Sequence, residues 1–157
     1  MINSLLALMA FQFINIPYRW GGNGTPNQYG YIGFDCSGLV VKVLEDLKII
    51  PHGYDMTAQG IYNWCKGQPK GRSTLACDSL LFFGSSRERI KHVAISLGVV
   101  DGIHMMIEAG GEGKGSESID TKTLLKRNAR VRIMPVSNRK DLIEGIQLPW
   151  NNLVKSI

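Results

Sequence analysis

The sequence predicts an α+β chain in which N-terminal helices pack on a C-terminal antiparallel sheet. Two observations carry this expectation. Apolar residues recur at helical spacing as far as Cys65, whereas after Leu80 they gather in short β-prone runs separated by turn formers. Helices that precede strands, without alternating with them, argue for segregated layers. A chain of 157 residues is expected to form one domain, 1–157, with a sizeable core. It carries no internal repeat, low-complexity tract or composition break that would mark a linker.

Each element has a local reason. Asn3 or Ser4 can cap a helix over Leu5 to Phe13, and Pro17 follows its end. A loop rich in glycine and turn formers runs from Gly21 to Gly33. The next helix is expected from Cys36 to Leu47, because Leu39, Val40, Val43, Leu44 and Leu47 share one face. Pro51-His52-Gly53 breaks it, and Thr57 can cap a third helix reaching Cys65. Four apolar runs then read as strands: Leu80–Phe83, closed by Gly84-Ser85-Ser86, then His92–Leu97, Met105–Ala109 and Val131–Pro135. Gly110 to Gly115 reads as a loop.

Composition removes several function classes. The three cysteines, Cys36, Cys65 and Cys77, form no CxxC pair and no Cys/His ligand spacing, which argues against a zinc site. An odd number at scattered positions also argues against a disulfide framework. The net charge of +5 is mild and its densest clusters, Lys66–Arg72, Arg87–Lys91 and Lys122–Arg132, read as solvated surface. No arginine-rich run, aromatic RNA-binding signature or helix-turn-helix pattern points to a specific nucleic-acid partner. Leu5–Phe11 is apolar, but no basic residue precedes it and no cleavage site follows. It is unlike a signal peptide and too short to span a membrane.

The chemistry is expected to centre on Phe34-Asp35-Cys36-Ser37-Gly38-Leu39-Val40. A thiol at a helix N-terminus sits beside the positive end of the helix dipole, a setting that favours the nucleophilic thiolate. The plain alternative is a buried cysteine acting as a small hydrophobe. A cysteine nucleophile needs a base, and the base needs an orienting group. His92 opens a β-prone run and is the best base; His52 and His104 read as loop histidines.

Strand geometry nominates the orienting group. A three-residue loop of Val100, Asp101 and Gly102 would pair Ala94 with Glu108, Ser96 with Met106 and Gly98 with His104. Glu108 would then share a face with His92, roughly 7 Å away on the diagonal. His104 would lie roughly 20 Å along the strand. A two-residue Asp101-Gly102 turn would shift the register and flip Glu108 to the other face, so the assignment depends on the turn.

Three blocks, in order, resemble the NlpC/P60 family of papain-like cysteine peptidases. They are Pro17-Tyr18-Arg19-Trp20-Gly21-Gly22, the Phe34–Val40 segment, and Leu80–Phe83 followed by His92-Val93-Ala94-Ile95. The match covers about residues 3–110 and implies the papain-like NlpC/P60 fold, the remainder completing the sheet and a C-terminal tail. It implies that Cys36 is the nucleophile and His92 the general base and then acid. Counting along the chain to the family's third polar position selects His104. Aligning Met106-Ile107-Glu108-Ala109 with the family's strand pattern selects Glu108 instead, although glutamate departs from the family's usual residue there. The resemblance also implies that Tyr18 and the Cys36 backbone N–H stabilise the oxyanion, and that Asp35, Ser37 and Trp20 contact substrate. Asp35 and Ser37 read equally well as simple helix caps.

The activity so implied is hydrolysis of peptidoglycan stem peptides at the D-γ-glutamyl–diamino acid amide, with no metal or organic cofactor. The absence of a visible leader sequence leaves a bacteriophage lysin or tail component beside a bacterial enzyme. Rival readings are a thiol amidase or acyltransferase on another substrate, and a non-catalytic wall-binding or structural tail component.

Overall fold

A computed structural model describes residues 4–154. Three helices come first: α1 (Leu5–Phe11), α2 (Cys36–Asp46) and α3 (Ala58–Lys66). Strands β1 (Arg72–Ser73), β2 (Leu80–Ser86), β3 (Arg89–Val100) and β4 (Ile103–Gly110) follow. The chain continues through α4 (Thr121–Lys126), β5 (Arg130–Pro135), β6 (Leu142–Gln147) and α5 (Trp150–Leu153). The strands form one antiparallel sheet in the order β1-β6-β2-β3-β4-β5. This is the helix-then-sheet arrangement that the apolar patterns predict.

The run Leu80–Phe83 is continuously apolar because β2 is covered on both sides. Leu80 and Phe82 join the main core with Leu39, Val43 and Leu44 of α2 and Ile61 of α3. Leu81 and Phe83 join a second cluster with Ala94, Met106 and Val136. A strand buried on both faces has no need of polar alternation.

The caps differ from expectation at α1. Asn3 lies outside the described residues, and the Ser4 side chain makes no capping bond. Instead Asp78, itself buried, accepts hydrogen bonds from the backbone N–H groups of Leu6 (3.1 Å) and Ala7 (2.9 Å). A carboxylate from the turn leading into β2, an interior strand, thus satisfies the first turn of the helix and ties the two layers together. Thr57 caps α3 as anticipated, accepting from Gly60 N at 3.0 Å.

The Gly84-Ser85-Ser86 segment, expected to close the first strand, continues it to Ser86. Strands β1 and β6 and helix α4 fall outside the four apolar runs. Strand β6 escaped the pattern because it buries Glu144 and Gln147 alongside its apolar residues.

The β3–β4 hairpin corrects the turn while keeping the register beyond it. The loop has two residues, Asp101 and Gly102, both at positive φ (50° and 80°), and Val100 pairs with Ile103. Near the turn, His104 therefore lies opposite Val99, not Gly98. A bulge then adds one residue to β3, so that Gly98 pairs with Met105 while Ser96 pairs with Met106. Gly98 sits at φ 73°, the left-handed position such a bulge requires. The shorter turn and the extra residue cancel, and Ser96–Met106 and Ile95–Ile107 pair as a three-residue loop would have them.

Candidate active site

Asp35, just before α2, is in extended conformation and its carboxylate accepts from Gly38 N at 2.6 Å. It also accepts from the Ser37 hydroxyl (3.2 Å) and from Gly21 N (3.1 Å). The cap therefore fixes the start of the helix against the Gly21–Gly22 loop. Gly38 is required at this approach, since a Cβ there would collide with the Gly22 carbonyl. Cys36 is left as the first residue of α2, partly exposed, with Sγ 4.0 Å from the Lys91 carbonyl oxygen.

Lys91 is the extra residue of a second bulge in β3, where Phe83 pairs with His92 but Gly84 pairs with Ile90. Bulges re-aim neighbouring side chains, and this one precedes His92. The imidazole packs against Phe83, with ring centroids 5.5 Å apart. Its Nε2 lies 2.5 Å from Glu108 Oε2, and the ring lines the same cleft as the Cys36 sulfur. With Nε2 facing Glu108, Nδ1 is the nitrogen left for sulfur. His92 and Glu108 are both buried.

Burial alone would lower the affinity of His92 for its second proton. The influence of Cys36 and then of Glu108 outweighs burial and pushes it up to about 9. For Glu108, burial acts upward, but the bond and charge of His92 together with Arg132 hold the carboxyl below its ordinary value. The pair is thus built to keep an imidazolium beside the sulfur.

Cys36, His92 and Glu108 line a cleft of ≈ 390 Å³ together with Tyr18, Trp20 and Arg132. The Tyr18 side chain is buried, yet its hydroxyl makes no hydrogen bond to the other described residues. Burial, and then the charges of Cys36 and Asp35, push the phenol well above its usual range, so it remains a donor. Trp20 is half exposed at the rim. Its backbone N–H is held by the Ser116 hydroxyl at 2.9 Å. Arg19, fully buried, braces this rim by donating to the carbonyls of Ile32, Ser116 and Ile119 and to the Thr121 hydroxyl. The guanidinium also lies 4.1 Å from the centre of the Tyr31 ring.

The structure therefore brings together Cys36, His92, Glu108, Tyr18, Asp35, Ser37 and Trp20. It does not bring in the other two histidines. His104 Nε2 meets the Ser96 hydroxyl at 2.9 Å. His52 is exposed beside Glu45, 3.4 Å from its carboxylate. Sequence reasoning missed Arg132, which pairs in register with Glu108 across β4 and β5. An arginine alternating with Val131 and Ile133 is the available signal, but its partner depends on a third strand.

Together these features define an α+β domain with a helix-borne cysteine facing a sheet-borne histidine. The NlpC/P60 family model matches residues 15–133, and the chain belongs to that family. Two solved structures share the fold. RipD from Mycobacterium tuberculosis, a non-catalytic NlpC/p60 domain protein with an adaptation to peptidoglycan-binding function, has a TM-score of 0.57 at 20% identity, covering 92% of this chain and 95% of that one. The P60 domain of an antigen from M. avium paratuberculosis has a TM-score of 0.55 at 19% identity, covering 91% and 89%. Compared with curated proteins, the chain matches none. Among the described residues, no helix is long and apolar enough to cross a membrane.

Proposed function

We propose that this chain is a cysteine peptidase that hydrolyses peptidoglycan stem peptides between D-γ-glutamate and the diamino acid, with residues 1–157 acting as one catalytic domain. The observation that carries the reading is the 2.5 Å contact of His92 Nε2 with Glu108, which leaves Nδ1 free in the cleft that Cys36 also lines. In this mechanism His92 takes the thiol proton, and the sulfur attacks the amide carbonyl. The Tyr18 hydroxyl and the Cys36 backbone N–H donate to the oxygen on which charge develops. The imidazolium then protonates the leaving amine, giving an acyl-enzyme. Water, activated by His92, releases the acid and restores the thiol. Glu108 holds the ring orientation and stabilises its charged form. Asp35 offers a counter-charge to a substrate ammonium, with Ser37 and Trp20 beside it, although the first duty of the Asp35 carboxylate is the helix cap. As a bacteriophage lysin, a tail-borne enzyme or a bacterial wall enzyme, the chain would meet the same bond.

A second reading, a non-catalytic wall-binding module, is favoured by the description of RipD. Mass spectrometry of defined muropeptides after incubation separates the two. The peptidase reading expects paired fragments divided at the D-γ-glutamyl bond, and none with Cys36→Ala. Intact muropeptides with the wild-type protein, together with retention of the protein on wall sacculi, would replace it by the binding module.

A further inference from the structure

We propose that Arg132 is a positioning residue for the Cys36–His92 pair, acting through Glu108 and not by touching the reacting atoms. The inference rests on the reading of Cys36 and His92 as nucleophile and base, and it concerns a residue outside the three blocks that resemble the family.

The geometry assigns one carboxylate oxygen to each neighbour. Arg132 directs Nη2 (3.1 Å) and Nε (3.3 Å) at Glu108 Oε1, while Oε2 faces His92. The third nitrogen, Nη1, donates to the Asn128 carbonyl at 2.9 Å, so the guanidinium is anchored from both sides. The pair is well shielded, with side-chain exposure of 19% for Arg132 and 4% for Glu108. Two donors of a planar guanidinium converge on the one oxygen, an arrangement that the point charge of a lysine reproduces only in part.

Strand pairing explains why the pair exists. Glu108 and Arg132 are direct cross-strand partners. The backbone that follows makes room for them. A Cβ on Gly110 would lie 3.0 Å from Glu108 Oε1 and 3.3 Å from Arg132 Nη2. A Cβ on Gly111 would lie 3.0 Å from Arg132 Nη1. The Gly110-Gly111 pair therefore forms the wall against which the ion pair is seated.

Without Arg132, Glu108 Oε1 would lose both donors in a buried site. The carboxyl would then rotate away from His92 or take up a proton as the pH falls. Either change withdraws the acceptor that supports the imidazolium. Arg132 also lines the cleft, so direct contact with a substrate carboxylate is the competing role.

The test is the rate of Cys36 alkylation by iodoacetamide across pH, which needs no substrate. Folding is checked by thermal melting, and kcat and KM are measured on a muropeptide. Arg132→Met is expected to slow alkylation at neutral pH about tenfold and to move its acid limb up by about one pH unit, the scale of losing a close opposite charge. Arg132→Lys should recover part of the rate. In turnover, kcat should fall while KM stays put. A folded Arg132→Met with the wild-type alkylation profile overturns the proposal, as does a rise in KM with unchanged kcat. If Arg132→Met does not fold, Gly110→Ala takes its place, since it removes no hydrogen-bonding group. It should slow alkylation several-fold, and an unchanged profile overturns the proposal. Wild-type Cys36 no more reactive than Cys65 or Cys77 would instead remove the nucleophile itself, and with it both readings.

Discussion

His92 and His104 sit on one hairpin, and each meets an oxygen through Nε2, but their surroundings differ. His92 faces a buried carboxylate at 2.5 Å and shares its cleft with a thiol, and Arg132 and Phe83 close the site around it. His104 faces the Ser96 hydroxyl at 2.9 Å. That hydroxyl in turn donates to the Leu75 carbonyl (2.8 Å) and accepts from Gly98 N (3.0 Å). The first arrangement stabilises a charge beside a nucleophile. The second fastens a bulge. Position along a strand thus says little about a histidine's role until its partner's charge and the neighbouring groups are known. The two are connected all the same, because the bulge held by Ser96 sets the register that returns Glu108 to the face of His92.

The largest separation between the two regions should come from removing the chemistry itself. Cys36→Ala and His92→Ala are each expected to reduce muropeptide turnover by at least about 10⁴-fold, the scale seen when a member of a nucleophile–base unit is lost. Circular dichroism and the melting temperature should show Cys36→Ala still folded. Glu108→Gln comes next, with kcat down about 10²-fold, because an amide cannot stabilise the imidazolium as a carboxylate does. His104→Ala should stay within a few-fold of wild-type turnover and cost about 1 kcal/mol of stability in urea unfolding, the net value of one hydrogen bond. If His104→Ala proves as damaging to kcat as Glu108→Gln, the roles assigned to the two regions are reversed.

The protonation states provide a smaller effect with a definite sign. His92 is raised from 6.5 to about 9, so its contribution to stability is complete below pH 6.5 and disappears as the pH rises through about 9. Glu108 is lowered from 4.5, so its contribution is complete above pH 4.5 and is lost as the pH falls through its folded-state value. Wild-type unfolding free energy should therefore fall on both sides of neutrality. Glu108→Gln should flatten both limbs, whereas His104→Ala should leave their positions unchanged.

How much of this was legible in the sequence follows from the range of each interaction. The start of α2 is local: Asp35 caps a helix whose first residue is Cys36, and six consecutive residues suffice to show it. The His92–Glu108 contact spans one hairpin, and alternation found the right face. A three-residue turn is nevertheless one residue longer than the turn in the structure, and the bulge at Leu97–Gly98 compensates. Had Gly98 not been available at positive φ, the two-residue turn would have placed Glu108 on the wrong side. Arg132 lies one strand further away, where alternation alone cannot name a partner. The Asp78 cap of α1 joins residues 71 and 72 positions apart in the chain and leaves no local trace. Burial of Glu144, which accepts from the Tyr62 hydroxyl and the Ser73 hydroxyl, hid β6 behind polar residues.

The central claim is that the hairpin holds an imidazole in contact with the Cys36 sulfur, and titration of the His92 ring by NMR tests it most directly. In the wild-type protein the midpoint should lie near 9, and in Cys36→Ala it should drop well towards 6.5 as the sulfur's support is removed. A midpoint that is the same in both proteins would contradict the account, because His92 would then be indifferent to the thiol it is said to serve.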